Sequence, residues 1–212
     1  CNIDNYIAVS EELTNRGYFV FRMGKTASKP LKSNNSKIID YANSDLKNDF
    51  MDIYLAANCT LCISASSGFE AVPYIFRKPL VTIVVPLLDA RTWSNKVLIL
   101  TRHHFSKQKQ KKLTLSEIAI SEIAGCVEKN KFDALGIELV ENSSEEIKDI
   151  AIEAVERLEG TWKSKEIDDK LQKKFWEIYF SSNHINTPRF RHGKLNARFG
   201  AKFLRENSEW LN

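Results

Sequence analysis

CTLCISASSGFEAVPYIFRKPLVTIVV, residues Cys59 to Val85, is the stretch that decides the fold. Cys59 to Ser64 is an apolar run of strand length, and Ser66-Ser67-Gly68 follows it as a turn. Phe69 to Phe76 reads as a helix that Pro73 interrupts or shortens. Arg77-Lys78-Pro79 is a second turn, and Leu80 to Val85 is a β-branched strand. Strand, small-residue turn, helix, turn and strand thus follow one another within this single segment. Two strands that are apolar almost throughout, rather than alternating, imply a parallel sheet covered on both faces. Their crossover is then right-handed.

Outward from this unit the pattern continues. Ile3, Tyr6, Ile7, Ser10 and Leu13 recur at helical spacing and Gly17 ends that helix. Tyr18 to Arg22 reads as a strand closed by Met23-Gly24, and Lys37 to Asp40 as a second. Lys25 to Lys37 is a polar surface loop. Asn48 or Asp49 caps a helix carrying Phe50, Ile53, Tyr54 and Ala57 on one face. Val97 to Thr101 is another strand. A short helix spans about Ser116 to Ala124, and Leu139-Val140 is expected to be the last strand. Asn142 to Glu145, or Ser143 to Glu146, forms a capping box. The helix behind it carries Ile147, Ile150, Ala151, Ala154 and Leu158, and Gly160 ends it. Ser164 to Phe180 is a helix with Ile167, Leu171, Phe175 and Ile178 inward. Asn183 to Gly200 reads as a polar, basic tail before a short helix from Ala201 to Trp210. The fold class is α/β, a doubly wound, mainly parallel, Rossmann-like sheet with extra C-terminal helices. Ligands are then expected at the C-terminal ends of the strands.

The bulk numbers fit this. The chain has 212 residues, 43% hydrophobic and 27% charged, enough to bury a core without disulfides or metals. It has no apolar run long enough to span a membrane, and the expectation from its opening residues is that no signal peptide is present. Of the four cysteines, Cys59 and Cys62 have the spacing of half a metal knuckle, with no second half. They read as small reduced hydrophobes, which points to a cytoplasmic protein. The chain starts Cys1-Asn2-Ile3, and the expectation is that it is a piece of a longer protein. The net charge of +4 is unevenly placed: nine Lys or Arg against one Asp lie between Arg77 and Lys112. Such a field suits a phosphorylated substrate, a polyanion or an anionic membrane face. For Lys107 to Lys112 a solvated face is the simpler account.

Ser66-Ser67-Gly68 is the leading candidate site. Backbone N–H groups at a helix start hold phosphate, glycine allows close approach, and two hydroxyls add donors. The same residues also suit an ordinary βα turn. Glu70 can accept from sugar hydroxyls or simply stabilise the first helical turn. Arg22 and Gly24 end a strand; Arg22 can neutralise a diphosphate or form a structural ion pair. Asp40 is a hydroxyl ligand or base, or a cap. His103-His104 cannot both face one metal, so no metal site is expected. Either can join Arg91 or Arg102 at a phosphate, or sit on the surface. There is no GxGxxG, P-loop, HExxH or nucleophile elbow, which disfavours dehydrogenases and P-loop nucleotidases. RNA binding calls for aromatics interleaved with the basic patch, and Trp93, Phe105 and Phe190 give it little support.

Several stretches together carry a resemblance: Tyr18 to Gly24, Ile38 to Ala42, Asp49 to Leu55, Ser66 to Phe69 with Phe76 to Pro79, and Phe203 to Asn207 with Trp210-Leu211. In this order they resemble a bacterial glycosyltransferase family found among surface-polysaccharide genes. Cys59 to Ile83 also resembles the donor half of two-domain GT-B enzymes. The resemblance implies a nucleotide-sugar-binding domain over residues 1–160, with a helical extension over 161–212. It implies a nucleotide-diphosphate sugar as donor, no tightly bound cofactor, and no metal. It further implies a glycan or lipid-linked acceptor and a place in the cytoplasm or at the inner face of the membrane, with no specific nucleic acid. The donor-binding residues it points to are Arg22, Gly24, Ser66, Ser67, Gly68 and Glu70, and no catalytic residue is assigned. An N-terminal acceptor half is expected outside the chain. The competing classes are a nucleotide-sugar epimerase and a non-catalytic nucleotide or anionic-glycan binding module.

Overall fold

Leu80–Val84 and Val97–Thr101 contain no charged residue, and both are buried at every position. In the computed structural model they are β4 and β5, paired in parallel at the centre of a four-stranded sheet. The structure describes residues 1–25, 27, 29–85, 87, 94–182 and 196–212. Arg91, Trp93 and Phe190, read above as candidate contacts, lie outside these residues.

Before β4, the chain forms helix α1 (Ile7–Asn15), strands β1 (Val20–Phe21) and β2 (Ile38–Ile39), α2 (Asp49–Asn58), β3 (Cys62–Ser64) and α3 (Ala71–Ile75). After β5 come β6 (His103–Ser106), β7 (Lys111–Lys112), α4 (Leu115–Ala119), α5 (Lys129–Ala134) and β8 (Ile137–Val140). The chain then continues into α6 (Ser144–Glu159), α7 (Glu166–Ser181), β9 (Arg198–Phe199) and α8 (Ala201–Glu206). The main sheet has the order β3-β4-β5-β9, all parallel. β1 and β2 form a separate parallel pair. The result is a mixed α/β fold with a doubly wound parallel sheet and extra helices, a general Rossmann-like architecture.

Two features of the strands depart from the sequence reading. First, β6 leaves the parallel sheet one residue after β5 and pairs antiparallel with β7 and β8. The basic segment Lys107 to Lys112 is the hairpin of this second sheet, where Glu117 pairs with both Lys109 and Lys111. Second, β9 was expected to be tail. Its backbone joins β5 on one side, and the Gln172 side chain serves it on the other. The Gln172 amide donates to Phe199 O and accepts from Phe199 N–H, as a neighbouring strand would. The segment after residue 160 therefore supplies a strand of the main sheet as well as helices.

Local signals explain the long helices. Ser143 and Glu146 close a reciprocal capping box at the start of α6, and Gly160 ends it in the left-handed conformation (φ +72°). Ile147, Ile150, Ala151 and Ala154 are buried, whereas Leu158 is exposed in the last turn. In α7 Leu171 and Phe175 are buried, but Ile167 is exposed in its first turn, ahead of the contact with the sheet. Gly200 separates β9 from α8 at a tight spot: a Cβ there would lie 3.2 Å from Ile150 Cδ1. The buried Glu153 carboxylate accepts from Ala201 N–H at 2.7 Å and anchors the start of α8.

Helix α2 turns its apolar stripe outward. Phe50, Ile53 and Tyr54 are exposed, and Ala56 on the opposite side is buried. Periodicity shows that a helix has an apolar stripe, not which way it turns.

Candidate functional site

The parallel strands β3, β4 and β5 end together, and the chemistry gathers at that edge. After Ser64 the chain turns through Ser66, whose φ of +59° is left-handed. A non-glycine residue there carries about 1–2 kcal/mol of local strain. Ser67 is extended, and a 3-10 turn from Gly68 to Glu70 leads into α3. Ser66, Ser67 and Gly68 are all exposed. Ser67 makes no side-chain cap. A Cβ at Gly68 would meet nothing within 4 Å, so the space over the turn is open.

Glu70 does not share that opening. Its carboxylate is buried and accepts from Thr82 Oγ1 at 2.9 Å, tying the turn to the middle of β4. A buried carboxylate needs such a donor. Beneath it the Cys62 thiol is pushed up to about 12, chiefly by burial, with Cys59 and Glu70 adding to the rise.

Arg22 and Gly24 lie at the end of β1, in the separate two-stranded unit. Arg22 Nη1 donates to Lys29 O at 2.6 Å and to both oxygens of Asp40 at 3.3 Å. Asp40 also accepts from Leu31 N–H and from Asn43, both at 2.8 Å. Burial raises the Asp40 pKa, but these hydrogen bonds and the Arg22 charge outweigh it and leave it lowered. The Gly24 carbonyl accepts from Lys47 Nζ at 2.7 Å. Of the two readings of Arg22, the structural ion pair is the one observed. Among the described residues no hydrogen bond or ion pair links it to the Ser66–Gly68 turn.

A shallow cleft opens at the sheet edge beside that turn, between Asn5, Tyr6, Ala65, Ile83, Arg102 and Asn142. Arg102 follows β5 directly and meets Glu141 at 3.4 Å. Burial pushes the Tyr6 phenol up to about 12, with Arg102 lowering it and Glu141 raising it, so Tyr6 stays a hydroxyl donor. Burial raises Glu141, but the Asn2 N–H bond and nearby positive charge outweigh it and leave it lowered. Asn142 Nδ2 donates to Thr101 O and to Glu146. Its Oδ1 is buried without a partner among the described residues.

Of these groups the sequence reading singled out Arg102 alone for a ligand, as a phosphate contact. Tyr6, Asn5 and Glu141 carry no local motif; their roles arise where the first helix meets the ends of β5 and β8. Asn142 was visible as a candidate cap, and a residue just past a strand end was the available signal.

His103 and His104 point to opposite faces of β6, as adjacent strand residues do. His103 Nε2 meets Glu146 at 2.8 Å, and its ring stacks on Phe203. His104 is buried and its Nδ1–H donates to Arg102 O. Neither is a surface residue available to a ligand. Among the described residues no group of three or more His, Cys, Asp or Glu is placed to hold a metal. No described helix is long and apolar enough to cross a membrane.

Burial lowers the His104 pKa to about 4, with the Arg102 carbonyl raising it and His103 lowering it. The unfolded chain takes up this proton near pH 6.5, the folded chain only near 4. Stability is therefore full above pH 6.5 and falls as the pH drops to 4, by about 3 kcal/mol from this group. Urea midpoints measured from pH 7 to pH 4 should show that loss, and His104→Phe should flatten the upper part of the slope.

Comparison of the chain with protein-family models, with curated proteins and with solved structures finds no match.

Proposed function

We propose that this chain is the donor-side unit of a glycosyltransferase, of the kind that forms the C-terminal half of GT-B enzymes. The supporting observation is the juxtaposition at one sheet edge of the open Ser66-Ser67-Gly68 turn and the cleft that holds Arg102. A nucleotide-diphosphate sugar lying across that edge would set its diphosphate against the two hydroxyls and the backbone N–H groups of the turn. Arg102 exchanges its loose contact with Glu141 for the diphosphate. Tyr6 supplies a further hydroxyl donor. In the reaction an acceptor hydroxyl oxygen bonds to the anomeric carbon, and the bond from that carbon to the diphosphate oxygen breaks. The diphosphate leaves with the electron pair, and these residues stabilise its charge. The acceptor, a glycan or lipid-linked hydroxyl, loses its proton to a base outside this edge. The Lys107 to Lys112 hairpin is suited to an anionic membrane face.

One observation favours a binding module without catalysis. Glu141, the carboxylate of the cleft, is occupied by Asn2, Asn5 and Arg102. The same occupancy argues against an epimerase, which needs a carboxylate free to move a proton.

Calorimetric titration with UDP-, GDP-, CMP- and ADP-sugars tests the proposal. One donor class should bind, and the double substitution S67A/R102A should weaken it about 10- to 100-fold, the worth of one or two bonds to a charged group. Binding with no sugar transfer to any acceptor supports the module. Failure of every donor to bind overturns both readings.

A further inference from the structure

The outward face of α2 is unlike the rest of the surface. Phe50, Ile53 and Tyr54 stand one helical turn apart, exposed by 71%, 47% and 50%. The Phe50 and Tyr54 rings stack at 5.8 Å between centroids and form a ridge. Leu46 lies two residues ahead of the Asn48 cap and is also exposed. Helix α3 packs beside α2 and ends in the exposed Ile75 and Phe76. With each aromatic side chain worth about 150–250 Å² when fully exposed, these six partly exposed residues present several hundred Å² between them, most of it apolar. Monomers rarely show a patch above about 300–600 Å², and a stable dimer covers about 800 Å² on each partner.

The ends of this face differ in charge. Asp45 and Asp49 are exposed at the N-terminal end of α2, with no ion pair among the described residues. At the C-terminal end is Lys78, just before Leu80, which pairs with Cys62 at the start of the strand that follows α2. A two-fold axis through the middle of α2 therefore sets the acidic end of one helix over the basic end of another, with ridge against ridge. A face that is apolar at its centre and opposite in charge at its ends is complementary to itself in that orientation.

We propose that a second copy of this chain docks on the outward face of α2 and the end of α3, with the two α2 helices antiparallel. The test is the mass of the 212-residue chain in solution. At about 100 µM, far above a micromolar dissociation constant, sedimentation should give twice 24.3 kDa. The substitution F50D/I53D should give the monomer with an unchanged circular dichroism spectrum, because both side chains are exposed. D49K alone should weaken the dimer at least several-fold, and D49K/K78E should restore it by exchanging the two charged ends. A wild-type monomer at that concentration overturns the proposal, whatever else covers the face. So does a dimer that F50D/I53D leaves intact. A D49K dimer that K78E does not rescue overturns the antiparallel arrangement.

Discussion

Phe175→Ala should lower the stability of this chain by about 3–5 kcal/mol, as expected for a fully buried aromatic side chain. Phe175 is the hub of the aromatic cluster that holds α7, β9 and the C-terminal turn together, and it has no exposed surface. Its ring lies 4.6 Å from Phe199, 4.8 Å from Trp176 and 6.2 Å from Trp210, centroid to centroid. Removing it empties the space between the end strand of the sheet and the helix that covers it. Because Phe199 pairs with β5 and with Gln172, loosening there reaches the sheet itself. Urea denaturation should show a lower midpoint with the slope unchanged. Phe180→Ala on the exposed side of the same helix is the control and should cost under about 1 kcal/mol. Equal effects of the two substitutions would show that the cluster does not secure the sheet edge.

Asp168→Ala should cost a similar amount, about 3–5 kcal/mol, for a different reason. Asp168 has no exposed side-chain surface, and one of its oxygens accepts from Arg205 Nη1 at 2.6 Å. The other accepts from Lys165 N–H at 2.8 Å and so caps α7. Alanine leaves the guanidinium of Arg205, itself largely buried, without its counter-ion, and opens the helix start. Most of the loss is the penalty of the stranded charge. Pairing D168A with Arg205→Leu should therefore recover part of the stability in a thermal melt. A double variant no more stable than D168A would show that the cap, not the charge, carries the cost.

These two residues mark how far the sequence reaches. The periodicity of α7 already placed Leu171 and Phe175 inward, and the motif around Phe203 and Arg205 was legible as a unit. That Arg205 closes on Asp168 was not, because the two lie 37 positions apart and neither stands in a local pattern. The candidate site divides in the same way. The Ser66-Ser67-Gly68 turn could be found from its neighbours, since strand, turn and helix are adjacent in the chain. Glu70 could be found but not oriented: whether it faces ligand or β4 depends on Thr82, twelve residues on. Arg22 was found with two roles open, and the ion pair with Asp40, which only folding brings beside it, is the one present. Tyr6 and Glu141 were not found, because only the docking of the first helix against the strand ends makes them neighbours of Arg102.

By itself the sequence determined the α/β class, the parallel pair β3 and β4, the βα turn at Ser66–Gly68, the end of α6 at Gly160 and its start to within a residue. Each of these is written in contiguous residues: an uninterrupted apolar strand, a small-residue turn, a capping box, a terminal glycine. Only the tertiary structure decided that Arg198–Phe199 is a strand, that β6 leaves for a second sheet, that α2 turns its aromatic stripe outward and that Tyr6 and Glu141 stand beside Arg102. The reason is physical. A two-residue strand forms because a neighbour offers its free N–H and C=O groups, and a stripe faces the core only if the other elements leave room for it.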